Sequence, residues 1–275
     1  MSSHRSFLVA VFALVLCAPA AVAAHEAVSA MVVIPEGKYE PIMRGKDDPE
    51  RVTVAAFKLD VRPVTNGEFL AFVRLNPKWR RSQVSPLFAD DGYLGAWAGD
   101  LELGEGAPID APVVQVSWFA ARAFAAAQGK RLPTTAEWER AAAAGRTQEK
   151  GSTEPGYREA ALAWFAQPTA ATLASVGSGQ PNYFGVRDLL SLVWEWVDDF
   201  NTALVTGESR ADTGLERTLF CGAGAAGARD LENYPAFMRA GMRSSLRASY
   251  VVPNLGFRCA QSIDAPVAPT LALKP

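Results

Sequence analysis

Apolar positions in this chain come in short runs separated by long polar or glycine-rich stretches, so the regular elements are expected to be short. Met31 to Ile34 is an apolar run closed by Pro35, the pattern of a short buried strand, and the charge-rich stretch through Arg51 reads as loop. Val52 to Leu59 predicts a second strand. Thr65-Asn-Gly-Glu68 places an N-cap threonine three residues before a glutamate, a capping box that opens a helix burying Phe69, Phe72 and Val73 and stopping before Pro77. From Trp79 to Ile109 no period is sustained. Trp79, Phe88, Tyr93 and Trp97 are nonetheless too many large apolar side chains for a linker, so this stretch reads as an ordered, irregular insertion.

Pro112 to Val116 predicts a strand, Ser117 an N-cap, and Trp118 to Gln128 a helix with Gly129 at its left-handed end. Thr134-Thr-Ala-Glu137 is a second capping box, and its helix is expected to run to Ala144 and end at Gly145, with Trp138, Ala141 and Ala142 inward and Glu139 and Arg140 outward. Gly145 to Gln180 reads as mostly loop, anchored by Trp164 and Phe165. Arg239, Arg243 and Arg247 recur every four residues and would stack on one face if the segment were helical.

Composition narrows the class. With 27 Lys plus Arg against 29 Asp plus Glu, the chain offers no basic stripe for nucleic acid and no polybasic patch for an anionic membrane. Its 275 residues suffice for one domain with a sizeable core, and 22 Gly, 18 Pro and seven Trp point to a loop-rich fold with a large aromatic load.

The N-terminal region has the pattern of an export signal: Arg5, an apolar run from Phe7 to Leu16, and small residues at Ala21 to Ala24. The run is too short to span a bilayer, and Leu16 before Cys17 does not fit a lipoprotein signal. The expected organisation is a signal peptide at 1–24, a short segment at 25–30, one domain at 31–262 and a proline- and alanine-rich tail at 263–275, in a periplasmic or secreted protein. After cleavage near Ala23 or Ala24, only Cys221, Cys259 and His25 remain of their types. A multi-histidine iron site and a histidine-based catalytic triad are thereby excluded.

Six ordered motifs carry a resemblance: Phe57-Lys-Leu-Asp-Val-Arg-Pro-Val-Thr-Asn66, Pro112-Val-Val-Gln-Val-Ser-Trp118, Gly129-Lys-Arg-Leu-Pro-Thr-Thr-Ala-Glu-Trp-Glu139, Pro181-Asn-Tyr-Phe-Gly185, Val193-Trp-Glu-Trp196 and Asn254-Leu-Gly-Phe-Arg-Cys259. Together they resemble the formylglycine-generating enzyme, or sulfatase-modifying-factor, superfamily. The resemblance implies an α+β fold: a single compact, C-type-lectin-like domain with little regular structure, in which the strand before Trp118 meets the last strands in a central sheet. It implies relatives that include copper-dependent oxidases of a substrate cysteine, iron-dependent enzymes of ergothioneine synthesis, exported proteins of pyoverdine maturation, and proteins that accompany copper nitrite reductase.

Departures from the family pattern matter as much. Formylglycine-forming members carry a close cysteine pair that holds Cu(I), and the matching interval here, Gly224 to Arg239, contains none; Cys221 stands instead at the first glycine of the motif. The usual partner of the last cysteine, Cys259, falls at Ala125. Three readings of Cys221 and Cys259 are therefore open: a disulfide, two inert thiols, or a copper or redox pair. The family's calcium-binding asparagine is replaced by Leu192, leaving Glu195 as a calcium ligand or a structural carboxylate. Four motif tryptophans, Trp118, Trp138, Trp194 and Trp196, are expected in the core. Trp79, Phe88 and Trp97 are candidates for a substrate-cleft wall. The family places Arg243 on a strand and turn, where it reaches a buried carboxylate or that of a substrate.

Two functions follow as expectations. One is oxidative modification or maturation of a peptide-like or secondary-metabolite substrate, other than formylglycine formation; the other is a non-catalytic binding or maturation factor for another exported enzyme, for example a copper nitrite reductase. Intact mass of the exported protein is expected to place its first residue near Ala24 or His25; a lipidated Cys17 or a retained N-terminus would contradict the export reading.

Overall fold

A computed structural model describes residues 30–42, 49–201 and 234–263. Among them the longest strands, β1 (Met31–Ile34) and β4 (Phe57–Asp60), have four residues each. They form a three-stranded antiparallel sheet with β7 (Ala260–Ser262), in the order β1-β4-β7. Val32 faces Leu59, Ile34 faces Phe57, and Leu59 faces Ala260. The middle strand buries Phe57, Leu59 and Asp60, as expected where both edges are paired. Two smaller pairs complete the strand inventory: β2 (Gly37–Tyr39) with β3 (Val52–Val54), antiparallel, and β5 (Trp194–Glu195) with β6 (Leu255–Gly256), parallel.

Both capping boxes form. Thr65 accepts from the Glu68 amide and opens α1 (Asn66–Leu75), and Thr134 accepts from the Glu137 amide and opens α3 (Thr135–Ala142). Between them α2 (Trp118–Ala127) starts on Ser117 and is followed by Gly129 at φ 66°. Phe69 of α1, Phe124 of α2 and Phe257 meet in the centre, with ring centroids 5.4–6.2 Å apart, distances at which aromatic pairs attract beyond simple burial. The result is a single compact α+β domain.

Several sequence expectations are corrected. Pro112 to Val116 is not a strand, because its backbone bonds go to separate segments: Val113 donates to Val64, Gln115 to Val252, and Pro112 bridges only Thr65. Gln115 adopts φ 55°, a left-handed conformation incompatible with a ladder. Val52 to Leu59 splits into β3 and β4. A helix, α4 (Tyr157–Phe165), occupies part of the expected loop; it begins after Gly156 at φ 79° with no side-chain cap to announce it. Finally α5 (Tyr234–Ser244) is helical where the family resemblance implied strand and turn, so Arg239 and Arg243 do stack one turn apart.

The insertion from Trp79 to Ile109 is ordered. Trp97 donates its indole N–H to Asn66 Oδ1 at 3.0 Å, Arg81 donates to the Trp97 carbonyl, and Tyr93 donates its hydroxyl to the Trp79 carbonyl at 3.1 Å. No helix among the described residues is long and apolar enough to cross a membrane.

Phe257→Ala removes the ring shared by both Phe69 and Phe124. It is expected to lower unfolding free energy by about 3–5 kcal/mol, measured by chemical denaturation of the full chain.

Candidate functional site

The middle of α3 presents Trp138 and Glu139 to the interior. Glu139 was expected outward; it is buried because α5 covers it. Its Oε1 accepts from Arg239 Nε at 2.9 Å and Arg243 Nη1 at 2.6 Å, and its Oε2 from Arg239 Nη2 at 2.6 Å. Both guanidiniums also lie over the Trp138 ring, 5.6 and 4.7 Å from its centroid. Arg140 is buried as well, over the Phe184 ring and 3.3 Å from Glu149.

From the edge of the same indole the polar network continues. Trp138 Nε1 donates to Glu195 Oε2 at 2.7 Å, and Arg258 grips that carboxylate in a fork, Nε to Oε2 at 2.8 Å and Nη2 to Oε1 at 2.7 Å. The rest of the wholly buried Arg258 is satisfied by the carbonyls of Asp60, Val61 and Arg187. Trp138 thus stands between two buried ion pairs.

Burial alone would raise the Glu139 carboxyl, but the two guanidiniums outweigh it and hold the group at about 2. Tyr39 and Tyr157 feel the same charges. Burial pushes the Tyr157 phenol up to about 12 and Tyr39 higher still, so both are neutral at ordinary pH.

Beside this network an open groove of about 590 Å³ runs along α5, lined by Trp194, Phe237, Met242, Ser245, Tyr250 and Asn254. Its apolar walls and few polar groups are the composition of a site for a partly apolar ligand. Trp194 belongs to an aromatic cluster, stacked on Phe165 at 5.1 Å and 6° and lying 5.1 Å from Trp164. Hence α4, invisible in the sequence, braces the groove.

The predicted site residues are not gathered in one place. Trp79 and Trp97, 7% and 3% exposed, belong to the core and not to a cleft wall, because the insertion folds inward around Asn66. Phe88 is 44% exposed and lies against Trp79 and Phe119. Arg243 reaches a buried carboxylate, Glu139. Trp138 and Trp196 are core residues, while Trp118 and Trp194 are only partly buried.

Metal binding by the described residues is unsupported. Both Glu195 oxygens are taken by Arg258 and Trp138, which leaves neither of them free for a calcium ion that takes six to eight oxygens. Among the described residues no group of three or more His, Cys, Asp or Glu could hold a metal. Cys259 is a free, fully buried thiol. Burial and the adjacent Asp60 charge push it well above the ordinary range, so it is a thiol and not the thiolate that copper requires. Asp60 accepts from the Cys259 amide at 2.9 Å and from Lys130 Nζ at 2.6 Å. Cys221 lies outside the described residues.

What sequence reasoning missed is the pairing of Glu139 with two arginines a hundred positions away. The four-residue arginine spacing is the available signal, and it points to a helix where the family resemblance implies a strand.

The comparisons agree with the fold. Residues 18–263 match the family model of the sulfatase-modifying factor enzyme 1-like domain. The formylglycine-generating enzyme of Streptomyces coelicolor is 32% identical over 263 residues, covering 80% of this chain and 82% of that protein. A Mus musculus protein named inactive C-alpha-formylglycine-generating enzyme 2 is 31% identical over 287 residues, covering 88% and 89%. The crystal structure of CarF superposes with a TM-score of 0.50 at 19% identity, covering 86% of this chain and 99% of that one, a likeness of fold alone.

Since Glu139 is held below its unfolded value, its stabilisation is present above about pH 4.5 and is lost as pH falls toward about 2. Glu139→Gln is expected to cost about 3–5 kcal/mol at neutral pH and to flatten that acid limb, both read from urea denaturation at a series of pH values.

Proposed function

The chain belongs to the sulfatase-modifying factor enzyme 1-like family, and on that premise we propose that it is an exported maturation protein which holds a peptide-like or secondary-metabolite substrate along α5 and modifies it oxidatively. The observation that carries this reading is the groove of about 590 Å³, with Tyr250, Ser245 and Asn254 supplying hydrogen-bonding positions among apolar walls. Formylglycine formation is not its reaction, because Gly224 to Arg239 holds no cysteine to complete a copper-binding pair. Cys259 is held as a thiol beside Asp60, so Cys221 is the residue on which an oxidative role turns.

A second reading has its own support. The Cys259 thiol is held protonated and the Glu195 carboxylate is saturated, which suits a non-catalytic factor that reuses the groove to bind a substrate or another exported enzyme, such as a copper nitrite reductase. The mouse relative named as inactive is a precedent within the family.

Metal analysis of the full mature chain after copper loading, with oxygen uptake followed on cysteine-containing peptides, separates the two. The oxidative reading expects one retained copper per chain and oxygen uptake, both lost in Cys221→Ser. A metal-free protein that consumes no oxygen and is indifferent to Cys221→Ser would overturn it in favour of the binding factor. Aldehyde formation on a sulfatase cysteine peptide would overturn the exclusion of formylglycine chemistry.

A further inference from the structure

We propose that the groove along α5 selects an uncharged stretch of extended peptide, and that Met242 and Trp194 set this selectivity by screening the groove from Arg239 and Arg243. The inference deepens the reading of the groove as the binding site and rests on it. It does not depend on any copper or cysteine chemistry.

Charge is the first observation. None of the described residues lining the groove is charged. Arg239 and Arg243 lie on the helix that forms its wall, yet both are buried and turned to Glu139. Arg247 is exposed and lies over the Tyr250 ring, 5.7 Å from its centroid, without lining the groove. A carboxylate or ammonium seated among Phe237, Met238, Leu246 and Val252 would lose its hydration with no counter-charge in the lining.

The partition is the second. Behind the groove is a small cavity of about 10 Å³ whose walls include Trp138, Glu195, Arg239 and Arg243. Trp194 and Met242 are the two described residues that line both this cavity and the groove. Trp194 is fixed by its stacking on Phe165, whereas Met242 is an unbranched thioether of the kind that fills irregular gaps. Among the described residues Arg243 spends only Nη1, on Glu139, so its guanidinium has donors to spare.

Hydrogen-bonding groups then name the ligand's class. Ser244 and Ser245 already donate their hydroxyls to the Ala240 and Met242 carbonyls. The Asn254 side-chain amide and the Tyr250 hydroxyl make no hydrogen bond among the described residues. An amide offers a carbonyl acceptor and an NH₂ donor side by side, the complement of a peptide group, and the apolar walls take the side chains on either side of it. A sugar, with hydroxyls on most of its carbons, would leave many of them unpaired there.

The test is calorimetric titration of the full mature chain, without copper, with short leucine- and glycine-containing peptides capped at both ends and carrying phenylalanine, aspartate or lysine at the centre. The phenylalanine peptide is expected to bind at least about tenfold more tightly than the other two. Asn254→Asp should move the preference to the lysine peptide. Met242→Ala, which joins the groove to the cavity and its arginines, should raise the affinity for the aspartate peptide about tenfold. Both positions are only partly buried, and melting curves check that the variants are folded. Equal affinity for the three peptides, binding of none, tighter binding of a glucose oligosaccharide, or an unchanged charge preference in Met242→Ala would overturn the proposal. A chain that shows the preference but takes up no oxygen on cysteine peptides fails the oxidative reading alone, and one that takes up oxygen without the preference fails this proposal alone.

Discussion

The docking of α5 depends on one carboxylate. Glu139 collects three hydrogen bonds from Arg239 and Arg243, and through them α5 is laid across α3 and over the Trp138 ring. Removing two guanidiniums from water is expensive, so the arrangement holds only because the acceptor is present and ionised. The groove exists on the outer side of the same helix. Its wall is therefore secured from behind by an ion pair that no ligand in the groove touches.

A second constraint acts on the strands. Arg258, at the end of the chain's last motif, spans Glu195 and the carbonyls of Asp60, Val61 and Arg187, while Asp60 takes the Cys259 amide and Lys130. In this way β4, β5 and β7 are locked to one another by side chains as much as by their short ladders. Strands of two to four residues have few ladder bonds, and buried charge-assisted bonds supply the alignment that ladder length would otherwise give.

What was legible in the sequence was local. Thr65 and Thr134 with their glutamates, Ser117, and Gly129 announce helix ends by chemistry that acts within a few residues, and the helices start where these residues stand. The aromatic load of the insertion announced order there. What failed was non-local. Glu139 and Arg140 look like surface residues of an amphipathic helix until α5 is known to lie on them, and Val113 and Val116 look like a strand although their neighbours bond to three separate segments. Family resemblance misplaced the Arg239 segment, whose four-residue arginine spacing left open the helix that it forms. Trp79 and Trp97 lie in a loop segment, the usual place for cleft residues, yet are buried because that segment folds inward around Asn66.

The two capping boxes share a further element. In Arg62-Pro-Val-Thr65-Asn-Gly-Glu68 and Arg131-Leu-Pro-Thr134-Thr-Ala-Glu137, the arginine six residues before the glutamate clasps it with both Nη atoms, at 2.9 and 3.0 Å in one case and 2.6 Å twice in the other. Each clasp closes a loop of six residues, whereas the bonds of Glu139 to α5 close one of about a hundred, and the entropic cost of closure grows with separation. The two clasped corners are therefore closed at low entropic cost, whereas the contacts of α5, like the still longer link from Asp60 to Arg258, must be held across long stretches of chain. A partner seated along α5 would thus stabilise a joint that no local closure secures.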